Sequence, residues 1–169
     1  MTDETRNVGD VDFTALLDSL GETPNKLASF TAGLSDAEIR LQNSPDEFSA
    51  LENICHLRDL ELQGYAPRIK RILAESCPAL ADFDGARVAA ESNYNAEQPS
   101  LALRQFQVAR RENVETLRAL TEDQLEREGQ LQGVGSITLR RLAEMMREHD
   151  EGHLEEVRVL SERMKRRTN

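Results

Sequence analysis

Three histidines occur in the 169 residues, and two of them, His149 and His153, lie four apart. On a helix that spacing puts both imidazoles on one face. The same face runs through Leu139, Leu142, Met146, Val157 and Leu160, with steps of three or four residues throughout. Such a stripe is the buried side of an amphipathic helix, so both rings are expected to point into the core. A buried imidazole needs partners for both ring nitrogens, or a metal on one of them. The remaining histidine, His56, also lies in a helical segment. His56, His149 and His153 together predict a divalent-metal site with three imidazole ligands. On spacing alone the competing reading, a solvated or structurally satisfied pair, stays open.

Four carboxylates adjoin these histidines. Glu52 and Asp59 flank His56 at four and three residues, and Glu148 and Asp150 are neighbours of His149. Each is a candidate to orient a ligand or to act as acid or base, and each has solvated surface as its alternative. Cys55 adjoins His56 but stands about 100° round the helix from it, which makes it a small core residue. With Cys77 it could form one bridge at most, and the expected cytoplasmic setting disfavours that.

The elements that must position the histidines are helical. From Asp10 the apolar residues Phe13, Leu16, Leu17, Leu20, Leu27 and Phe30 predict a first helix, kinked near Gly21 and Pro24. Ser35 to Glu38 has the form of a capping box for one extra turn. A second box, Ser49 to Glu52, opens a long helix to about Ser76, with Leu51, Cys55, Leu62, Tyr65, Ile69 and Ile72 inward. His56 sits in its second turn, where the positive helix end favours the neutral ring that a metal requires. Residues 77 to 98 are the least periodic stretch. A third long helix follows from about Ser100 to Leu120, carrying Phe106 and Ala109 or Arg110 inward. Thr121 to Gln124 forms another capping box, Gly129 to Gly135 reads as a flexible link, and Ser136 or Thr138 caps a last helix ending near Arg166.

Four long helices without a convincing strand predict an all-α four-helix bundle. Residues 1–9 are expected to be a flexible, polar start and residues 10–169 a single domain. The link over 77 to 98 is long enough to cross the bundle, so the second and third helices are expected to run parallel. The fourth is then antiparallel to the second. His56 falls eight residues after Phe48, and His153 falls seven before Leu160, which puts them at similar height.

Composition narrows the function. A net charge of −10 argues against a general nucleic-acid role, because phosphate contacts need clustered Lys and Arg. The basic run from Arg163 to Arg167 suits a helix C-terminus. No apolar run approaches membrane-spanning length, and the acidic, polar start is unlike a signal peptide. A cytoplasmic protein is expected. The apolar band of the first helix, with Leu57 and Leu60 off the main inward face of the second, predicts a homodimer.

These residues resemble the DinB/YfiT-like family of metalloenzymes. The resemblance rests on Phe48 to Glu61 around His56, on Phe106 to Arg110, on Gly135 to Leu139, and on Glu148 to Leu154 around His149 and His153. Phe48 stands where many members carry Trp. The resemblance implies the four-helix bundle with its long crossover, and a divalent metal (zinc, nickel, iron or manganese) on His56, His149 and His153. The sequence also departs from the pattern in showing no fourth protein ligand, which leaves an open coordination position of the kind catalytic sites keep. The resemblance further implies a small-molecule substrate and a low-molecular-weight thiol as cofactor, since relatives include thiol-dependent S-transferases and isomerases. The alternative is a non-catalytic, metal-binding dimeric module in a stress response.

Overall fold

Four long helical stretches carry the fold. The computed structural model describes residues 8–167. Most of the expected polar start, residues 1–7, lies outside the described residues. Helix α1 spans Val8–Thr31, α2 Asp36–Ile39 and α3 Ala50–Asp59. A π-helical turn, Leu60–Tyr65, joins α3 to α4, Ala66–Ala74. After them come strand β1 (Ala79–Leu80), α5 (Gly85–Glu91), a 3-10 turn Tyr94–Ala96, and α6 (Pro99–Arg118). The chain closes with α7 (Glu122–Leu125), β2 (Glu128–Leu131), β3 (Gly135–Thr138) and α8 (Leu139–Arg167).

Helix starts follow local chemistry. Ser35, Ser49 and Thr121 each accept from the third residue of the helix they open, and that residue's side chain returns the bond. Thr138 Oγ1 accepts from Arg141 N at 3.0 Å, so Thr138 is the residue that caps α8. Pro99 opens α6 where its missing N–H costs nothing.

Pro24 does not end α1. It removes the donor that the Leu20 carbonyl would use, and Arg110 Nη1 supplies a replacement at 3.0 Å. One helix therefore continues through the proline, with a buried guanidinium mending the gap.

Side-chain pairs fix the helix directions. Arg58 meets Gln105, and Glu61 meets Arg110 and Asn113, so α3 and α6 run parallel. Asn53 meets His153 and His56 meets His149, so α8 is antiparallel to α3. Phe13 lies under Arg140, and Thr23 bonds Asp150, so α1 is parallel to α8. Residues 77 to 98 make the crossover that this arrangement needs.

Several expectations are corrected. The glycine-rich stretch from Gly129 to Gly135 is a hairpin, not a flexible link: β2 and β3 are antiparallel, with Gly129 opposite Ile137. Gly133 and Gly135 have φ of 79° and 107°, which lets so short a turn close. β1 adds to β2 in parallel, giving a three-stranded sheet in a chain expected to have none. Leu80, Leu131 and Ile137 of this sheet join the core formed by α1, α4 and α8.

Leu62 was expected inward but is 50% exposed, while Glu61 beside it is fully buried. Counting at 100° per residue fails where the backbone opens into a π turn. Leu57 and Leu60 are buried by their own chain, at 1% and 6% exposure. Helix α3 is enclosed on nearly every side, so an apolar residue off its main stripe still reaches a core. The apolar surplus from which a dimer was expected is therefore absent at these two leucines.

Candidate metal centre

Helices α3 and α8 bring the three histidines to one place. His149 Nε2 lies 3.4 Å from His56 Nε2 and 3.2 Å from His153 Nε2. Two imidazole nitrogens on one tetrahedral metal at about 2.1 Å stand roughly 3.4 Å apart, and both separations are close to that. One ligand atom from each ring falls within 4.8 Å of the others, so the trio could hold a metal ion.

Protonation favours the same use. Burial holds all three imidazoles down to about 4, and mutual repulsion adds to it: His149 acts on His56, His153 on His149, and His56 on His153. At neutral pH the rings are uncharged, the form a metal binds.

Asn53 selects the tautomer of His153. Its amide nitrogen donates to the Ser49 carbonyl at 3.0 Å, which leaves Oδ1 facing His153 Nδ1 at 2.6 Å. Oδ1 only accepts, so Nδ1 carries the hydrogen and the Nε2 lone pair is free toward the other rings. The Nδ1 atoms of His56 and His149 are buried and have no partner among the described residues. Without a metal this trio is poorly satisfied: three nitrogens crowd together and two more stand alone.

The residue before the α3 cap and the crossover both pack on His56. Phe48 and Phe83 pack on the His56 ring at centroid distances of 5.5 and 6.0 Å. Gly85 passes so close that a Cβ there would stand 2.6 Å from His56 Cε1. This glycine is needed for its missing side chain.

None of the four carboxylates flagged from sequence touches an imidazole. Glu52 completes the capping box at Ser49 and accepts from Gln42. Asp59 accepts from Arg58 at 2.8 Å and from the Tyr94 hydroxyl at 2.8 Å. Glu148 pairs with Arg141 on the surface. Asp150 turns away from the histidines into a buried ionic cluster. There Arg110, 1% exposed, pairs with Asp150 at 2.5 Å and with Glu61 at 2.6 Å. Asn113 donates to Glu61 at 2.6 Å and Thr23 to Asp150 at 2.6 Å, so the acceptors are well filled. This cluster ties α1, the π turn, α6 and α8 together one residue from His149.

Sequence reasoning missed Asn53, Gly85, Glu61 and Thr23. Asn53 falls three residues before His56 and carried a readable signal, since an amide on the buried side of a helix requires a polar partner. Gly85 carried none, because its role depends on a ring 29 positions earlier in the chain.

A helical bundle whose second and fourth long helices supply three convergent imidazoles is the class that this fold and site define. The model of the DinB superfamily matches residues 19–157, and the chain belongs to that superfamily. Among solved structures it is similar to YfiT from Bacillus subtilis, described as a probable metal-dependent hydrolase with an unusual four-helix bundle topology. The TM-score is 0.83 at 22% identity, over 98% of this chain and 93% of that one, a likeness of fold. No curated protein matches the chain.

Proposed function

We propose that the chain is a divalent-metal-dependent enzyme in which His56, His149 and His153 hold the metal. The observation that carries this is the convergence of the three Nε2 atoms, with the tautomer of His153 set by Asn53. When bound, such a metal supplies Lewis acidity and lowers the pKa of a water or thiol at its open position. Zinc, nickel, iron and manganese all accept imidazole. The chain's own residues hold the ligands: Asn53 orients His153, while Phe48, Phe83 and Gly85 fix the His56 ring.

Hydrolysis by a metal-activated water is the leading reading. It rests on the cavity beside His153 and on the description of YfiT as a probable hydrolase. S-transfer or isomerisation with a low-molecular-weight thiol would use the same open position. A cytoplasmic setting suits the two free cysteines, Cys55 and Cys77. No helix among the described residues is long and apolar enough to cross a membrane. Support for a homodimer rests on Leu62, Leu101 and Val108, which stay exposed on the α6 side.

The test is a panel of esters, amides and thiol-conjugation substrates offered to metal-loaded, metal-free and His149→Ala protein. Turnover by the loaded protein alone supports the enzyme. A loaded protein inert across the panel points to the non-catalytic module.

A further inference from the structure

Among the described residues the only buried carboxylates are Asp59, Glu61 and Asp150. All three belong to clusters that set one guanidinium against two carboxylates. Arg110 lies between Glu61 and Asp150, and Arg58 lies between Asp59 and the partly buried Glu97. Both clusters adjoin the histidines. Asp150 follows His149 on α8, and Asp59 stands one turn beyond His56 on α3.

Hydrogen bonds fix the charge of the Arg110 cluster. Glu61 accepts twice from Arg110 at one oxygen and from Asn113 at the other. The Asn113 amide nitrogen also faces the Glu61 carbonyl at 3.4 Å, so that nitrogen is the donor. Asp150 accepts twice from Arg110 and once from the Thr23 hydroxyl. Burial pushes the Glu61 carboxyl up, yet a proton on it would face only donors. Two carboxylates against one guanidinium leave one negative charge in surplus.

The surplus acts on the rings. Burial holds the three imidazoles neutral; against it, the charge of Asp150 acts on His149 and His153, and that of Asp59 on His56. Arg110 offsets part of this at His149 alone. The other charged neighbours of the ligands on α8, Arg147, Glu148, Glu151 and Glu156, have side chains at least 43% exposed, where water screens them. Three imidazoles bring no charge to a divalent ion, so its positive charge is met only from beyond them.

We propose that the two buried clusters are the counter-charge of the metal site: their surplus negative charge, closest to the rings at Asp150 and Asp59, holds a divalent cation on three neutral ligands. The inference rests on the metal reading above and deepens it. Asp59 and Asp150 touch no imidazole and act through space, as fixed charges.

The test measures zinc affinity, by competition with a chelator, in the full chain carrying Asp150→Asn, Asp59→Asn or both. Asparagine keeps an acceptor for the arginine and offers the Thr23 or Tyr94 hydroxyl a donor in exchange. Each single variant should bind zinc roughly tenfold more weakly, and the double variant roughly a hundredfold. Glu148→Gln removes the same charge from the other neighbour of His149, at the surface, and should stay within about twofold of wild type. Cobalt(II)-loaded variants should keep the wild-type visible absorption bands, because the ligands have not moved. Unchanged zinc affinity in the aspartate variants, an equal loss in Glu148→Gln, or a loss accompanied by altered cobalt bands would each overturn the proposal. Should Asp150→Asn not fold, Asp59→Asn and Glu61→Gln decide by the same criteria. A wild-type chain that takes up no zinc removes the metal reading and this inference with it, whereas zinc on the wild type with unaltered affinity in the variants removes this inference alone.

Discussion

Asn53 Oδ1 lies 2.6 Å from Nδ1 of His153, one hundred positions away in the chain, and the Asn53 amide nitrogen is held by the Ser49 carbonyl. The capping residue of α3 therefore sets, through one side chain, which nitrogen of a histidine on α8 is free to bind. Asn53→Leu should lower metal affinity by roughly ten- to a hundredfold, as loss of an outer partner does elsewhere. Asn53→Asp keeps an acceptor and should retain most of the affinity. Competition against a chelator measures both, and a Leu variant with wild-type affinity would remove Asn53 from the account.

Gly85 makes a second prediction. In Gly85→Ala the new methyl would have to displace the His56 ring, since it would stand 2.6 Å from Cε1 and 3.2 Å from Nδ1. Metal occupancy should fall while thermal stability changes by only about 1 kcal/mol. Gly152, inside α8 and next to His153, has open space where a methyl would stand, with nothing within 4 Å. Gly152→Ala should therefore raise stability by roughly 1 kcal/mol and leave metal binding intact. Equal metal loss in both variants would show a general fault in the helices and not a displaced ring.

The buried ionic cluster predicts a stability effect. Arg110→Met leaves Glu61 and Asp150 buried without their cation and should cost about 3–5 kcal/mol in urea unfolding. Replacing all three by apolar residues of similar volume should recover much of the loss, because no charge is then stranded. A single variant costing under about 1 kcal/mol would mean that water or another cation reaches the carboxylates.

Much of this fold was legible because the signals are local. The boxes at Ser35, Ser49 and Thr121 are written within four residues, and the stripe from Leu139 to Leu160 keeps one period along α8. The parallel course of α3 and α6 followed from the length of the crossover alone. What could not be read depends on distant partners or on a broken period. Leu62 leaves its expected inward place, and Glu61 is buried beside it, at a π turn that no propensity marks. The period of α6 allows Arg110 an inward place, but the carboxylates that meet it come from two other elements and leave no mark in its own segment. The strands are two to four residues long, too short for alternation to stand out. Spacing marks the histidines themselves, but the outer partner of His153 is the Asn53 amide and none of the neighbouring carboxylates.

The two cysteines should differ sharply in reactivity. Burial, ahead of nearby carboxylates, pushes the Cys55 thiol up to about 12, whereas Cys77 is exposed. At pH 8 a thiol reagent should therefore modify one cysteine per native chain and two in denaturant. The sign for stability follows. The unfolded chain ionises Cys55 first, near the ordinary value of 9.0, so its contribution is whole below that pH and is lost as pH climbs toward 12. Cys55→Ala should flatten that alkaline limb, and rapid labelling of both thiols in the native chain would contradict the enclosure of α3.

The central claim is that three imidazoles meet at one metal. X-ray absorption at the zinc edge of the zinc-loaded full chain tests it most directly. The account predicts one metal per chain, three imidazole nitrogens at about 2.0–2.1 Å, and loss of one imidazole shell in His149→Ala. Zinc retained with fewer than two imidazoles, or washed out of the wild-type chain by dialysis, would contradict it.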